Sequence, residues 1–271
     1  MIFNYRGRKY EVLASYRVET RPELIKDIID KFIIVEDKAE YQAALFKDDK
    51  AHNVFKYQLD GNIYYIKKYE NLRFKKKLKN LFRPAEGKRY LKLLNKLQEI
   101  GIPTINKGWA IKYGTFIDRE SLFITEEISG QELIDFLDDS DDRGLRKIAI
   151  ENLAELLSTL YSNKLLSGDP NFYNFFVDKV GEVFLLDIDC IKTFPILPDI
   201  IIHKNLAKLL ALAYVHDVDI SINEKEYLIN NTLKQNIFKK ILKQTINRLK
   251  SWEYYDVIKN NDELSNLSSK I

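Results

Sequence analysis

The 271 residues, 45% apolar and 31% charged, are those of an ordinary globular chain, long enough for one large domain or two modest lobes, and the 10 Gly and 6 Pro exclude collagen-like or low-complexity architectures. Forty-three Lys and Arg against 40 Asp and Glu leave a net charge of +3, too weak for a dedicated nucleic-acid binder. One cysteine, Cys190, and three scattered histidines (His52, His203, His216) exclude a disulfide framework and a cysteine-based zinc site.

The first 70 residues alternate aromatic and β-branched residues with polar ones. Residues 54–59, the turn Asp60-Gly61-Asn62 and residues 63–69 form a predicted hairpin, since Asp-Gly tolerates positive φ in a tight turn. An earlier strand is expected over 41–46, joined through the polar loop 47–52. The very basic stretch 73–83 follows, and then a helix over 84–100, with Pro84 suited to its first turn and Gly101 and Pro103 ending it. Leu122-Phe123-Ile124 predicts another strand, closing a β-rich lobe.

After Gly130 the pattern turns helical, with Leu133, Ile134 and Leu137 opening one helix and 148–160 forming a longer one. Short strands at 175–177 and 183–186 flank a turn over 178–181, and the chain from Leu197 onward is amphipathic helix, including a basic helix over 233–250. The last residues, 265–271, are expected to fray. The predicted fold is α+β, with an N-terminal lobe over 1–127 (sheet plus one helix) and a mainly helical C-terminal lobe over 128–271. The longest apolar run, 209–215, is far shorter than the ~20 residues of a membrane span. The N-terminal MIFNYRGRKY lacks the apolar core of an export signal, so a cytoplasmic location is expected.

The informative segment is Leu165-Leu166-Ser167-Gly168-Asp169-Pro170-Asn171-Phe172-Tyr173-Asn174. It follows the long helix, and 13 residues after Asn174 comes Asp187, at the end of the apolar run 183–186. An aspartate, an asparagine five residues on, and a second aspartate after a short hairpin make the kinase arrangement. The first carboxylate meets the acceptor hydroxyl, while the amide and the second carboxylate converge on Mg²⁺ held by the ATP phosphates. Alone, Asp and Asn at this spacing are common turn residues and carry little. Upstream elements in the right order add weight: Lys67 on a strand, Glu86 on the next helix on the side of Tyr90, Leu94 and Leu97, and a strand running out through Thr125-Glu126-Glu127-Ile128-Ser129-Gly130 into a hinge-like segment.

On these residues the chain resembles the lipopolysaccharide kinase group of the protein-kinase-like fold, over roughly 44–217. Core heptose kinases are the nearest match, with the Kdo kinases close behind. Ser167-Gly168-Asp169-Pro170 with Asn174-Phe175 is similar to that family's catalytic loop, and Lys67 to Tyr69, Gly101-Ile102-Pro103-Thr104 and Leu186-Asp187-Ile188-Asp189 match its style. The resemblance implies a bilobal fold, ATP and Mg²⁺ as cofactors, and the lipopolysaccharide core glycan as acceptor. It implies Asp169 as catalytic base, Asn174 and Asp187 as Mg²⁺ ligands, Lys67 on the phosphates and Glu86 anchoring Lys67. Adenine would meet the backbones of Glu126 and Ile128, with Thr125 behind them. The chain departs from the wider kinase pattern in having no Gly-x-Gly-x-x-Gly between Tyr41 and Lys67, no glycine in 47–53, Asn171 where many kinases carry a cation or histidine, Asp189 as third residue of the Asp187 motif, and no Ala-Pro-Glu motif. The short stretch between Asp187 and the next helix favours a small-molecule or glycan acceptor.

Arg73, Lys75, Lys76, Lys77, Lys79 and Arg83, interleaved with Phe74, Leu78, Leu81 and Phe82, read either as a solvated connector or as a contact for phosphorylated glycan or the anionic inner-membrane surface. Two other readings stay open. A choline or aminoglycoside kinase shares the same motifs, and the acids Asp135, Asp138, Asp139, Asp141 and Asp142 would suit a cationic acceptor. A pseudokinase would explain the absent glycine loop, against the presence of all four of Lys67, Asp169, Asn174 and Asp187.

Overall fold

The computed structural model describes residues 1–16, 18–35, 38–48, 53–69, 83–114 and 119–268. The fold is α+β, with two compact units: Met1–Glu99 with Ile105–Ile128, and Ile100–Thr104 with Ser129–Ile271.

The first unit is built on one antiparallel sheet of seven strands: β1 (Ile2–Tyr5), β2 (Arg8–Ala14), β3 (Leu45–Asp48), β4 (Asn53–Leu59), β5 (Asn62–Tyr69), β6 (Gly108–Gly114) and β7 (Arg119–Glu126), in the order β1-β2-β6-β7-β5-β4-β3. The predicted hairpin is β4–β5. Leu59 pairs with Asn62, and Asp60 (φ 50°) and Gly61 (φ 78°) both take the left-handed conformation that a two-residue turn of matching twist requires. Two faces follow from the period-2 alternation of the strands. Tyr64, Ile66, Trp109, Ile111, Leu122 and Ile124 point into a buried core closed by α1 (Pro22–Ile28) and a π-helical continuation over Ile29–Ile34, neither of which the sequence pattern foretold. The other face, with Lys67, Phe123 and Ala110, receives helix α3 (Glu86–Glu99).

Two expected boundaries in this unit are corrected. Residues 41–46 are not one strand: α2 (Lys38–Ala43) runs to Ala43, and β3 starts at Leu45. Pro84 stands two residues ahead of α3 rather than inside it; Gly101 at φ 76° follows its end as expected. Of the basic stretch 73–83, only Arg83 is among the described residues; of the loop 47–52, residues 49–52 lie outside them.

The second unit is mainly helical: α4 (Leu133–Asp139), α5 (Arg143–Ser162), α6 (Asp199–Val215), α7 (Ile222–Leu233), α8 (Phe238–Ser251), α9 (Tyr255–Asn260) and α10 (Asp262–Ser268). Asp142 caps α5, its Oδ1 accepting from the amides of Gly144 (2.9 Å) and Leu145 (3.1 Å). The basic helix expected over 233–250 begins only at Phe238, since Leu233 ends α7. Lys234 turns left-handed at φ 52° after α7, and Asn230 Oδ1 accepts from the amides of Ile237 (3.0 Å) and Phe238 (3.1 Å), starting α8 afresh. Within α8 the apolar stripe Phe238, Ile241, Leu242, Ile246 and Leu249 is buried, so it serves the core. Helix α10 continues through Ser268, with 269–271 outside the described residues.

Five short strands sit among these helices. β10 (Phe175–Val177) lies between β8 (Gln131–Glu132) and β11 (Val183–Leu185), and β9 (Leu165–Ser167) pairs with β12 (Ile191–Thr193). Gly130 leads into β8 with φ 151°, and a Cβ there would lie 2.4 Å from the Val177 carbonyl oxygen; only glycine fits that approach.

Candidate active site

In the first unit, Lys67 lies on β5 with Val54 and Phe123 as cross-strand partners. Its neighbour Lys68 is on the opposite face, buried, its ammonium 5.2 Å from the Tyr41 ring centroid. The alternation therefore separates the two lysines: Lys68 belongs to the core face, Lys67 to the face that α3 covers. Two ring contacts set the register of that helix. Tyr69, two residues after Lys67, lies 5.3 Å from Tyr90, one helical turn after Glu86, and Tyr90 lies 6.2 Å from Phe123. The first turn of α3 is pinned as well. The Gly87 amide donates to Ser121 Oγ (3.0 Å), and a Cβ on Gly87 would meet the Leu122 carbonyl oxygen at 2.4 Å, so only glycine brings the helix this close to the sheet. Lys88 Nζ sits 2.7 Å from Glu11 Oε1, and Lys112 Nζ 3.2 Å from Glu11 Oε2. The Lys88 hydrogen bond, ahead of an opposing effect of burial, holds the Glu11 carboxyl below its ordinary range. Lys67 and Glu86 thus ride on one sheet face and the helix start docked to it.

The exit of β7 is equally specific. Thr125 stands across from Tyr65, on the Lys67 side of the sheet, and its Oγ1 donates to the Tyr65 carbonyl (3.4 Å). The Glu126 amide donates to the Lys107 carbonyl at 3.1 Å and its carboxylate meets Lys107 Nζ at 2.7 Å. The Glu126 amide is therefore already engaged. Glu127 N–H closes the ladder onto Ile63 O (2.9 Å), and the Ile128 amide, one residue further, bonds to no other described residue.

In the second unit, β9 delivers the loop that carries Asp169. Its backbone is fixed from several sides: Gly168 N–H to Cys190 O (2.8 Å), Asp169 N–H to Ser167 Oγ (3.2 Å), and Asn174 Nδ2 to Asp169 O (2.6 Å). Asn171 caps the following 3₁₀ turn (Phe172–Asn174), its Oδ1 accepting from the Tyr173 amide at 3.4 Å, so its side chain serves the loop itself. Phe172 and Phe175 are fully buried and anchor the turn in the core.

The Asp187 segment is tied to the same frame. Leu186 N–H donates to Asn174 O at 3.0 Å, Cys190 Sγ donates to Asp187 O at 3.0 Å, and Ser167 Oγ lies 3.2 Å from Cys190 Sγ. The Cys190 thiol is pushed up, first by burial, with the Asp187 and Asp169 carboxylates adding to the shift against its Ser167 hydrogen bond. Both acids therefore act on one sulfur atom. Cys190 joins the two acidic loops as well as filling space.

Sequence reasoning missed Asn205 and Lys208, both on α6. Asn205 is buried, donates Nδ2 to Ser167 O (2.7 Å) and accepts from Tyr161 OH (3.0 Å). Lys208 Nζ lies 2.7 Å from Asp169 Oδ1 and 3.3 Å from Gly168 O. The available signal was two polar residues, one turn apart, interrupting the apolar positions of α6. His203 is buried, and burial lowers its pKa; His216 packs edge-on against Tyr173 at 5.3 Å.

The donor set suits a hard cation. Asp187 offers a carboxylate and Asn174, whose amide nitrogen is directed to Asp169 O, offers its amide oxygen. Mg²⁺ takes few protein oxygens and completes its shell with phosphates and water, so the residues fit the ion. No cluster of three or more His, Cys, Asp or Glu that could hold a metal is found among the described residues.

A β-rich unit followed by a helical one, with an Asp–Asn–Asp constellation on linked loops, defines a protein-kinase-like phosphotransferase. The model of the lipopolysaccharide kinase (Kdo/WaaP) family matches residues 33–231, and the chain belongs to that family. It is a kinase, and its acceptor is lipopolysaccharide. A comparison with curated proteins finds no match.

Proposed function

We propose that the protein transfers the γ-phosphoryl group of ATP, with Mg²⁺, to a sugar hydroxyl of the lipopolysaccharide inner core, heptose ahead of Kdo. The observation that carries the reading is the hydrogen-bonded frame joining Asp169, Asn174 and Asp187 through Leu186, Ser167 and Cys190. In this reading Asp169 orients the acceptor hydroxyl and takes its proton, while Asn174 and Asp187 hold Mg²⁺, which neutralises charge on the transferred group. Lys67 contacts the phosphates and Glu86 anchors it, a pairing supported by their shared sheet face. The Glu126 carbonyl and Ile128 amide serve adenine, behind which Thr125 stands.

A glycan acceptor is supported by the start of α6 at Asp199, soon after Asp187, which leaves little chain for docking a protein substrate. The alternative of a cationic small-molecule acceptor loses part of its basis, because two of the five acids that suggested it have structural partners. Asp142 caps α5, and Asp138 Oδ1 accepts the Asp219 amide at 2.9 Å. No helix among the described residues is long and apolar enough to cross a membrane. A place at the cytoplasmic face of the inner membrane is supported by the basic run in the sequence.

The test is transfer of labelled phosphate from ATP to dephosphorylated core oligosaccharides carrying heptose or Kdo alone, with choline and aminoglycosides as controls. Asp169→Asn is expected to cut turnover by ~10²–10⁴, the span of general-base contributions, with MgATP affinity unchanged. Near wild-type turnover in that variant would sink the assignment of the base.

A further inference from the structure

We infer that Lys208 is a positioning residue for phosphoryl transfer: it holds the Asp169 carboxylate by one oxygen and leaves the other for the acceptor hydroxyl. The inference rests on the assignment of Asp169 as base.

The loop hydrogen bonds around Asp169 fix its backbone, but none of them touches its carboxylate. That side chain is 59% exposed and follows a glycine, so nothing on its own loop selects a rotamer. Lys208 does so from outside the loop. Its ammonium meets Oδ1 at 2.7 Å and the Gly168 carbonyl at 3.3 Å, gripping side chain and backbone together. Helix α6 is a firm base for that grip: Leu206, Ala207, Leu209 and Leu210 beside Lys208 are buried, and Lys208 itself is only 24% exposed. One turn earlier on the same helix, Asn205 holds Ser167 O at 2.7 Å. The helix therefore docks the loop at two consecutive points and in doing so aims the carboxylate.

There is also an electrostatic reason. A bare carboxylate beside a polyanionic phosphoryl group repels it, and an ammonium paired with that carboxylate offsets the repulsion. Asn171, within the loop, has no charge to contribute and is engaged as a cap. The cation arrives instead from a helix far along the chain. A second ammonium is close: a Cβ built on Gly168 would lie 3.2 Å from Lys192 Nζ.

The experiment measures phosphate transfer from ATP to dephosphorylated lipopolysaccharide by Lys208→Met, Lys208→Arg, Asp169→Asn and the double variant Asp169→Asn/Lys208→Met. Lys208→Met is expected to lower kcat about 10–10²-fold, the scale of a misplaced catalytic group, without changing the MgATP Kd. Lys208→Arg should recover most of that loss, and the double variant should be no slower than Asp169→Asn alone, because Lys208 acts through Asp169. If Lys208→Met unfolds, Lys208→Gln replaces it. Wild-type kcat in the Lys208 variant while Asp169→Asn is slow, or losses that multiply in the double variant, would overturn the role of Lys208 alone. Wild-type turnover in Asp169→Asn would overturn the base assignment, and this inference with it.

Discussion

In the first unit Lys67 and Thr125 project from two adjacent strands whose ladder sets their spacing, and Glu86 from the start of a helix docked on that sheet by side-chain contacts at Ser121, Tyr69 and Tyr90. In the second, Asp169, Asn174 and Asp187 sit on loops and 3₁₀ turns, where a few backbone bonds are joined by side-chain ones: Ser167, Asn171, Asn174 and Cys190 each bond to backbone or to one another. The contrast separates two ways of placing a side chain. A regular element holds a side chain through many weak, redundant bonds. A loop holds it through a few specific ones, each of which a single substitution removes. Damage to the first unit should therefore act through the docking of α3 and register in nucleotide binding. Damage to the second should register in turnover.

The sharpest break of that contrast is at Asp187. Asp187→Asn is expected to lower kcat by ~10²–10³, the cost of removing a group aimed at transition-state charge. Titrating Mg²⁺ in a turnover assay checks it; an unaltered Mg²⁺ requirement with unaltered kcat would count against Asp187 as a ligand.

Next comes a purely structural break. The Arg146 guanidinium is buried, reaching Leu137 O, Asp219 O (2.7 Å) and the Glu224 carboxylate (3.3 Å). Arg146→Met leaves an uncompensated acid and carbonyls, and about 3 kcal/mol of stability should go, read as a lower Tm and denaturation midpoint. Because Arg146 touches neither acidic loop, kcat at low temperature should hold.

Gly87→Ala tests the first unit. The added methyl cannot stand 2.4 Å from the Leu122 carbonyl oxygen, so α3 must lift from the sheet. A loss of about 1–3 kcal/mol is expected, with a weaker MgATP Kd by calorimetry and a smaller change in kcat. An unchanged Kd would show that α3 does not set the nucleotide-binding half.

The smallest effect is a pH dependence. Burial raises Glu224, but the Arg146 hydrogen bond and the amide and hydroxyl of Ser221 together outweigh it and leave the carboxyl lowered in the folded protein. The stability it contributes is present above its unfolded value of 4.5 and is lost as pH falls through the lower folded value. Glu224→Gln should flatten the stability curve in that acid window, measured by urea unfolding at a series of pH values.

Much of this was legible in the residues. The Asp60-Gly61 turn set the β4–β5 register, and the hairpin at 175–185 followed from two apolar triplets around a polar turn. The pattern places Lys67 on its strand, and the structure adds that Lys68 faces the opposite side. What stayed hidden has identifiable causes. The helix α1 and its π-helical continuation carry a helical stripe, Leu24, Ile25, Ile28, Ile29 and Phe32, between charged residues, and the aromatic alternation on either side draws the pattern of this region toward strands. The sequence pattern starts α8 several residues early because a lysine, not a glycine, takes the left-handed position that ends α7.

The sequence by itself determined the strand alternation and the turn chemistry, which depend on residues within a few positions of one another, and the Asp–Asn–Asp order, which is read directly along the chain. Only the tertiary structure decided that Lys208 and Asn205 contact the Asp169 loop, that Cys190 joins the two acidic segments, and that the Glu126 amide is taken by Lys107. Those facts depend on contacts between residues distant in the chain, whose pairing arises when burial of the apolar face of α6 brings its polar positions against the loop.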